Sequence, residues 1–157
     1  MSTTTFSSSG LSGWWSSGSS NVQAVNNRRL SVTSDRLYVS SNAWGWSGSS
    51  SATGINDSSM TFTGQYVNIQ SHSSGSQGSS TAIRNTSFIA TSDLDTRIYI
   101  NSFSRSNTAG ISNSSIQTGS GNDYININAT SNGGGWWWGG GNADSVGVDE
   151  EAVVTAA

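Results

Sequence analysis

The chain has 157 residues without cysteine or proline, and its net charge of −3 comes from nine acidic residues and six arginines. The lack of cysteine excludes disulfides and thiolate metal sites, and a weakly acidic chain without lysine is a poor partner for nucleic acid. No stretch approaches the roughly 20 apolar residues of a membrane span, and the start MSTTTFSSSG lacks the basic and apolar regions of a conventional signal peptide.

Five segments of the sequence align without gaps and divide the chain into repeats. Each places an aliphatic residue five positions before a second apolar residue, and these second residues lie at positions 30, 60, 88, 116 and 153. The segments are QAVNNRRL (23–30), TGINDSSM (53–60), TAIRNTSF (81–88), AGISNSSI (109–116) and VGVDEEAV (146–153). A repeat of about 28 residues is typical of solenoid proteins.

Each repeat contains two predicted strands joined by a turn of variable length. The first strand starts at the second apolar residue of the aligned segment, and the segment itself is interpreted as the turn that closes the preceding coil. The second strands show strict alternation, as LYV (37–39), VNI (67–69), IYI (98–100) and INI (125–127). A period of two indicates half-buried strands, and the Ser, Asn and Gly content argues against helix.

Stacked coils would superimpose the apolar residues into continuous columns, because one coil cannot bury its apolar face alone. The sequence therefore predicts an all-β fold, a parallel β-solenoid or β-helix with about five coils of roughly 28 residues. The predicted columns are Val25/Ile55/Ile83/Ile111/Val148, Leu30/Met60/Phe88/Ile116/Val153, Val32/Phe62/Ala90/Thr118, Leu37/Val67/Ile98/Ile125 and Val39/Ile69/Ile100/Ile127. The single domain 1–157 divides into a partial N-terminal coil (1–29), coils 30–59, 60–87, 88–115 and 116–152, and a partial C-terminal strand (153–157).

A polar column lies two residues after the first aliphatic column. Its members are Asn27, Asp57, Asn85, Asn113 and Glu150. Asn and Asp tolerate the left-handed conformation and bond to nearby backbone, so these residues predict a turn, and their stacked side chains are expected to bond to one another.

The segment AGISNSSIQTGSGNDYININA (109–129) resembles the repeats of secreted bacterial β-solenoid proteins of the cyanobacterial type. The likeness covers about one coil. Proteins of this kind are surface or secreted proteins, many exported by type I machinery without an N-terminal signal peptide. The resemblance therefore implies an extracellular or cell-surface location, and the acidic-then-apolar end of the chain (149–157) is similar to the tails that such exporters read.

Within that segment, Gly119-Ser120-Gly121-Asn122-Asp123 looks like the RTX calcium-binding nonapeptide. The resemblance implies a Ca²⁺ ion at Asp123, and no other cofactor is expected from the sequence. An RTX ion lies between successive glycine-rich turns, whereas the equivalent turns here are 63–65 and 91–96, which depart from that pattern. A plain Gly/Asn-rich turn is the alternative interpretation.

Aromatic or imidazole rings recur in the region after each second strand and include all seven tryptophans. The candidates are Trp14, Trp15, Trp44, Trp46, His72, Phe103, Trp136, Trp137 and Trp138. Stacked coils would gather these rings along one edge. Three interpretations remain open: a flap packed on the solenoid, an interface between subunits or filaments, or a sugar-stacking platform.

Catalytic residues are not expected. His72 lies in a Ser/Gly-rich region without an acid or nucleophile at suggestive spacing, and Asp93 with Asp95 alone is too little for a carbohydrate-cleaving enzyme.

The two ends of the repeat array indicate polymerisation. In this interpretation the N-terminal coil supplies Thr3-Thr4-Thr5-Phe6 but lacks a first strand, while Val153-Val154 at the other end supplies only such a strand. Arg28 and Arg29 occupy the turn that aligns with Asp149, Glu150 and Glu151. Head-to-tail stacking, with one coil shared between copies, would complete both ends and bring opposite charges together.

The resulting prediction is a structural subunit of an extracellular or surface filament, whose partner is another copy of itself. The alternative is a phage fibre or surface adhesin that binds glycans through the Trp-rich edge.

Overall fold

The computed structural model describes residues 1–11, 19–45, 49–75, 77–132, 144–148 and 153–155, in which strands, turns and bends occur but no helix. In chain order the strands are β1 Thr3–Leu11, β2 Ser20–Asn26, β3 Arg29–Val32, β4 Arg36–Trp44, β5 Ser50–Asn56, β6 Ser59–Phe62, β7 Tyr66–Ser73, β8 Ser79–Arg84, β9 Ser87–Ala90, β10 Arg97–Ser104, β11 Asn107–Ser112, β12 Ser115–Gln117, β13 Tyr124–Ser131, β14 Asp144–Val148 and β15 Val153–Thr155.

These strands form three parallel sheets of five strands each. The first sheet has the order β1-β4-β7-β10-β13, the second contains β2, β5, β8, β11 and β14 in series, and the third contains β3, β6, β9, β12 and β15. Each turn of the chain adds one strand to every sheet, so layer 1 is β1–β3 and layer 5 is β13–β15. The protein is a parallel β-solenoid, as the repeats predicted.

The strand register confirms the predicted aliphatic columns. Val25, Ile55, Ile83, Ile111 and Val148 are paired in series, and the columns that start at Leu37 and Val39 run without a break to Ile125 and Ile127. In the inner layers these side chains are at most 1% exposed. Strict alternation of large aliphatic residues therefore predicted the buried positions of these strands correctly.

The prediction that Val153 continues the column of Ile116 was wrong by one residue. Val154 pairs with Ile116, and Val153 pairs with Ser115. The spacing explains the difference, since Ile111 and Ser115 are four positions apart while their partners Val148 and Val153 are five apart.

The sequence analysis also missed one strand in every coil. The segments around Val25 and Ile55, interpreted as turns, end strands of the second sheet, and the turn follows them. Consequently both end layers contain a strand in all three sheets within the described residues. The sequence analysis inferred that two copies share one coil because each end is incomplete. The structure instead has a complete layer at each end of the described array.

The turn after the second sheet contains the predicted polar column. Asn27, Asp57, Asn85 and Asn113 all have positive φ, between 44° and 50°. Asn113 Nδ2 donates to Asn85 Oδ1 at 2.8 Å, and Asn85 Nδ2 donates to Asp57 Oδ1 at 2.9 Å. Left-handed geometry is therefore confirmed for these four positions, and side-chain bonding for Asp57, Asn85 and Asn113. Glu150 lies outside the described residues.

Candidate functional site

The outer edge of layer 1, here called the lower end, exposes part of the core. The inward residues Thr4 and Phe6 of β1 are only half-buried, although their partners Leu37 and Val39 are 0% and 1% exposed. The outward residues Thr3 and Thr5 are exposed. A depression of about 570 Å³, lined partly by Ser8, Gly10, Ser20 and Val22, opens at this end.

The outer edge of layer 5, here called the upper end, also exposes apolar side chains. Ile125 and Ile127 are half-buried there, while Val146 and Val148 of β14 remain 41% and 43% exposed. Ile111, which pairs with Val148 one layer below, is fully buried. Among the described residues, nothing covers this end as an inner layer would. The backbone groups of an edge strand are a template for pairing with another chain.

Arginines lie at the lower end, and the sequence has acidic residues directly after one of the upper strands. Arg28 lies between β2 and β3 and Arg29 begins β3, and both are exposed. Neither has a carboxylate within 4.0 Å in the described part of the chain. The acidic triplet Asp149, Glu150 and Glu151 follows β14 directly in the sequence and lies outside the described residues. Val153 and Val154 belong to β15 at the upper end.

The start of β1 is fixed to the turn before β4. The Ser2 amide donates to Asp35 Oδ2 at 2.5 Å, and the α-amino group of Met1 lies 3.7 Å from the same oxygen. The Ser2 hydrogen bond, followed by the positive amino group, lowers the pKa of the Asp35 carboxyl. These contacts hold the edge strand in register.

Part of the predicted aromatic edge is a stack of rings on the outer face of the first sheet. The His72 ring lies 5.3 Å from Trp44 and 4.9 Å from Phe103, measured between centroids. Burial lowers the pKa of His72, which favours the neutral imidazole. Trp44 is 48% exposed. Trp14, Trp15, Trp46 and Trp136–Trp138 lie outside the described residues.

A second row of rings, which the sequence analysis did not predict, lies on the same sheet face. Tyr38, Tyr66, Tyr99 and Tyr124, here called the tyrosine ladder, have centroids 5.6, 5.6 and 5.8 Å apart in that order. Tyr66 and Tyr124 begin their strands, whereas Tyr38 and Tyr99 come two residues after a strand start. Successive tyrosines therefore alternate between the first and third positions of their strands and lie diagonally across adjacent strands. This alternation could have been recognised in the sequence.

The acidic turn residues bond to the backbone and side chains of the adjacent layer. Asp123 Oδ1 accepts the Thr96 amide at 2.8 Å, and Asp95 Oδ1 accepts the Asn122 amide at 3.0 Å. Asp123 Oδ2 is buried and accepts no hydrogen bond. No group of three potential metal ligands occurs among the described residues, and calcium at Asp123 stays a prediction.

The described residues thus form two kinds of candidate surface. One is the open strand edge at each end, with partly exposed apolar side chains, and the other is the aromatic face of the first sheet.

The two candidates considered for catalysis lie in separate settings. His72 lies within a ring stack, and Asp93 accepts a hydrogen bond from Ser120 at 3.3 Å. Over the ranges that can be described, no helix has the length and apolar character of a membrane span. Comparison of the chain with protein-family models, curated proteins and solved structures gives no match.

Proposed function

We propose that this protein is the structural subunit of a filament in which copies stack head to tail. The observation that carries the proposal is the pair of open ends. Each presents three parallel strand edges together with core side chains that remain partly exposed, such as Phe6 at the lower end and Ile127 at the upper end. Pairing these ends would extend every sheet and bury the exposed apolar surface.

The lengths of the end strands suit this arrangement. The upper strands have 8, 5 and 3 residues in sheet order, and the lower strands that would receive them have 9, 7 and 4. Continuing the observed register would place Val148 opposite Val25 and Val154 opposite Leu30 of the next copy. Ile125 and Ile127 would then face Thr4 and Phe6.

Charge supports the same orientation. Arg28 and Arg29 at the lower end would come close to the acidic triplet that follows β14 in the copy beneath. Because the two contacting surfaces differ, the interface is heterologous and generates an open polymer instead of a closed dimer. Five stacked layers give a rise of about 24 Å per copy at about 4.8 Å per strand.

Charge reversal tests the proposal. Arg28→Glu/Arg29→Glu makes both ends acidic, and Glu150→Arg/Glu151→Arg makes the upper end basic like the lower one. Neither variant should form filaments alone, because like charges would meet at each junction. An equimolar mixture should form them, since each variant's upper end then complements the other's lower end.

Sedimentation and negative-stain electron microscopy provide the readout. Arg84→Glu/Arg105→Glu is the matched control, because it reverses two exposed arginines away from the ends and should leave assembly unchanged. Undiminished filaments of either single variant set, or a mixture that stays dispersed, would contradict head-to-tail stacking.

The resemblance to secreted bacterial solenoids supports placing the filament outside the cell or on its surface. A glycan-binding adhesin is the second candidate, and the 48% exposure of Trp44 within its ring stack favours it. Glycan-array binding that is lost in Trp44→Ala would support this alternative, and a blank array would remove it.

A further inference from the structure

The chain has four tyrosines, and all four belong to the tyrosine ladder. They occupy consecutive layers, from Tyr38 in layer 2 to Tyr124 in layer 5. Tyr38, Tyr66 and Tyr99 are half-buried, and Tyr124 is 50% exposed, so every ring is open to solvent on the outer face of the sheet.

We infer that the tyrosine ladder is a site of oxidative cross-linking, in which phenols of consecutive layers join as dityrosine. The neighbouring rings are tilted by 44°, 39° and 53°. With centroids 5.6 to 5.8 Å apart, we expect side-chain rotation to bring the carbons beside the hydroxyl groups of neighbouring rings into contact. Holding two reactants in contact replaces a bimolecular collision by an intramolecular step.

The reaction needs an oxidant, for which a peroxide acting through a haem peroxidase is the appropriate chemical class. Each of two phenols loses one electron and one proton and becomes a phenoxyl radical. The radicals join through a carbon–carbon bond between ring positions ortho to oxygen. Those carbons then lose their hydrogens to the two oxygens and restore both aromatic rings, while the peroxide is reduced to two waters.

The product would connect consecutive layers covalently in a chain that has no cysteine for disulfides. The ladder ends before layer 1, where Thr3 and Thr5 occupy the corresponding positions of β1. The cross-links are therefore expected inside one copy, and the inference does not depend on filament assembly.

Two double variants test the inference because each keeps two tyrosines. Tyr66→Phe/Tyr99→Phe leaves Tyr38 and Tyr124, which are not neighbours, whereas Tyr38→Phe/Tyr124→Phe leaves the adjacent pair. Dilute full-length protein is treated with hydrogen peroxide and a haem peroxidase, and dityrosine fluorescence is measured on the monomer band of a denaturing gel.

The wild type and Tyr38→Phe/Tyr124→Phe should form intramolecular dityrosine, and Tyr66→Phe/Tyr99→Phe should form at least about tenfold less. Phenylalanine preserves the ring, and matching thermal unfolding verifies that both variants fold. In the wild type, a link between Tyr66 and Tyr99 should join tryptic peptides 37–84 and 98–105, with the loss of two hydrogens in mass. Equal yields in the two variants, or links formed only between chains, would overturn the inference.

Discussion

At the scale of single residues, the turn after the second sheet depends on side chains that accept positive φ. Asn85 combines a φ of 47° with two amide contacts, one to Asp57 and one from Asn113. Asparagine enters the left-handed region more readily than most residues because its short polar side chain bonds locally. The amide ladder and the backbone conformation therefore have the same origin in the sequence.

Replacing Asn85 separates these two contributions. Asn85→Ala should lower the free energy of unfolding by about 2–4 kcal/mol, from left-handed strain and from lost hydrogen bonds. Asn85→Gly keeps the conformation without strain and should be about 1–2 kcal/mol less destabilising than alanine. Urea unfolding of both variants measures the difference, and equal losses would show that backbone strain contributes nothing there.

His72 makes stability depend on pH near neutrality. Burial lowers its pKa from the ordinary 6.5, so the unfolded chain takes up the proton first. The stabilisation is complete above pH 6.5 and declines as the pH falls through that value, until the folded state is protonated as well. Trp44 and Phe103 flank the ring, and neither carries a charge.

Thermal unfolding at pH about 7.5 and about 5.5 tests this dependence. The midpoint should fall more for the wild type than for His72→Phe, which keeps an aromatic ring in the stack without a titrating group. Parallel pH profiles for the two proteins would assign the effect to other groups.

At the scale of strands, the interior has an apolar half and a hydroxyl half. The hydroxyl half contains a relay in which Ser102 donates to Ser80 at 2.9 Å, Ser80 to Ser71 at 2.7 Å, and Ser71 to the Ala52 carbonyl at 2.8 Å. All three hydroxyls are buried, and their stacking satisfies each as a donor.

This division explains which strands were predictable. Leu37, Val67 and Ile98 stand out because large aliphatic residues alternate with polar ones. In the first half of the second-sheet strands the inward positions are Ala52, Ser80 and Thr108, so the alternation is hidden there among other small and hydroxyl residues. Their burial depends on hydroxyl partners in other strands, which sequence alone does not reveal. Because those strands were missed, the presence of a strand of every sheet in both end layers followed only from the structure.

Close packing between layers gives a test of the strand register. A Cβ on Gly54 would lie 2.6 Å from the Ala82 carbonyl oxygen. One on Gly147, at the equivalent position of β14, would have no atom of the described residues nearer than 4.0 Å. Gly54→Ala should therefore cost about 1–3 kcal/mol, and Gly147→Ala should stay within about 0.5 kcal/mol of the wild type. Denaturant unfolding of the unassembled protein measures both, and equal effects would contradict this packing.

At the scale of the whole molecule, the inner layers bury their aliphatic columns almost completely. The end layers leave several apolar side chains half-buried or exposed, although Val25 and Val32 of layer 1 are buried. The difference is clearest between Ile100, which is 0% exposed, and its neighbour Ile127, which is only half-buried. A solenoid stabilised by contacts between adjacent layers is weakest at its ends. Stacking another copy supplies the missing neighbour and is the basis of the proposed filament.

Helical reconstruction of the assembled protein by electron cryo-microscopy tests that proposal most directly. The account predicts polar filaments with a rise of about 24 Å per copy, in which β13 of one copy pairs in parallel with β1 of the next. Protein that stays monomeric at every concentration, or filaments joined through the outer sheet faces with the end strands unpaired, would contradict it.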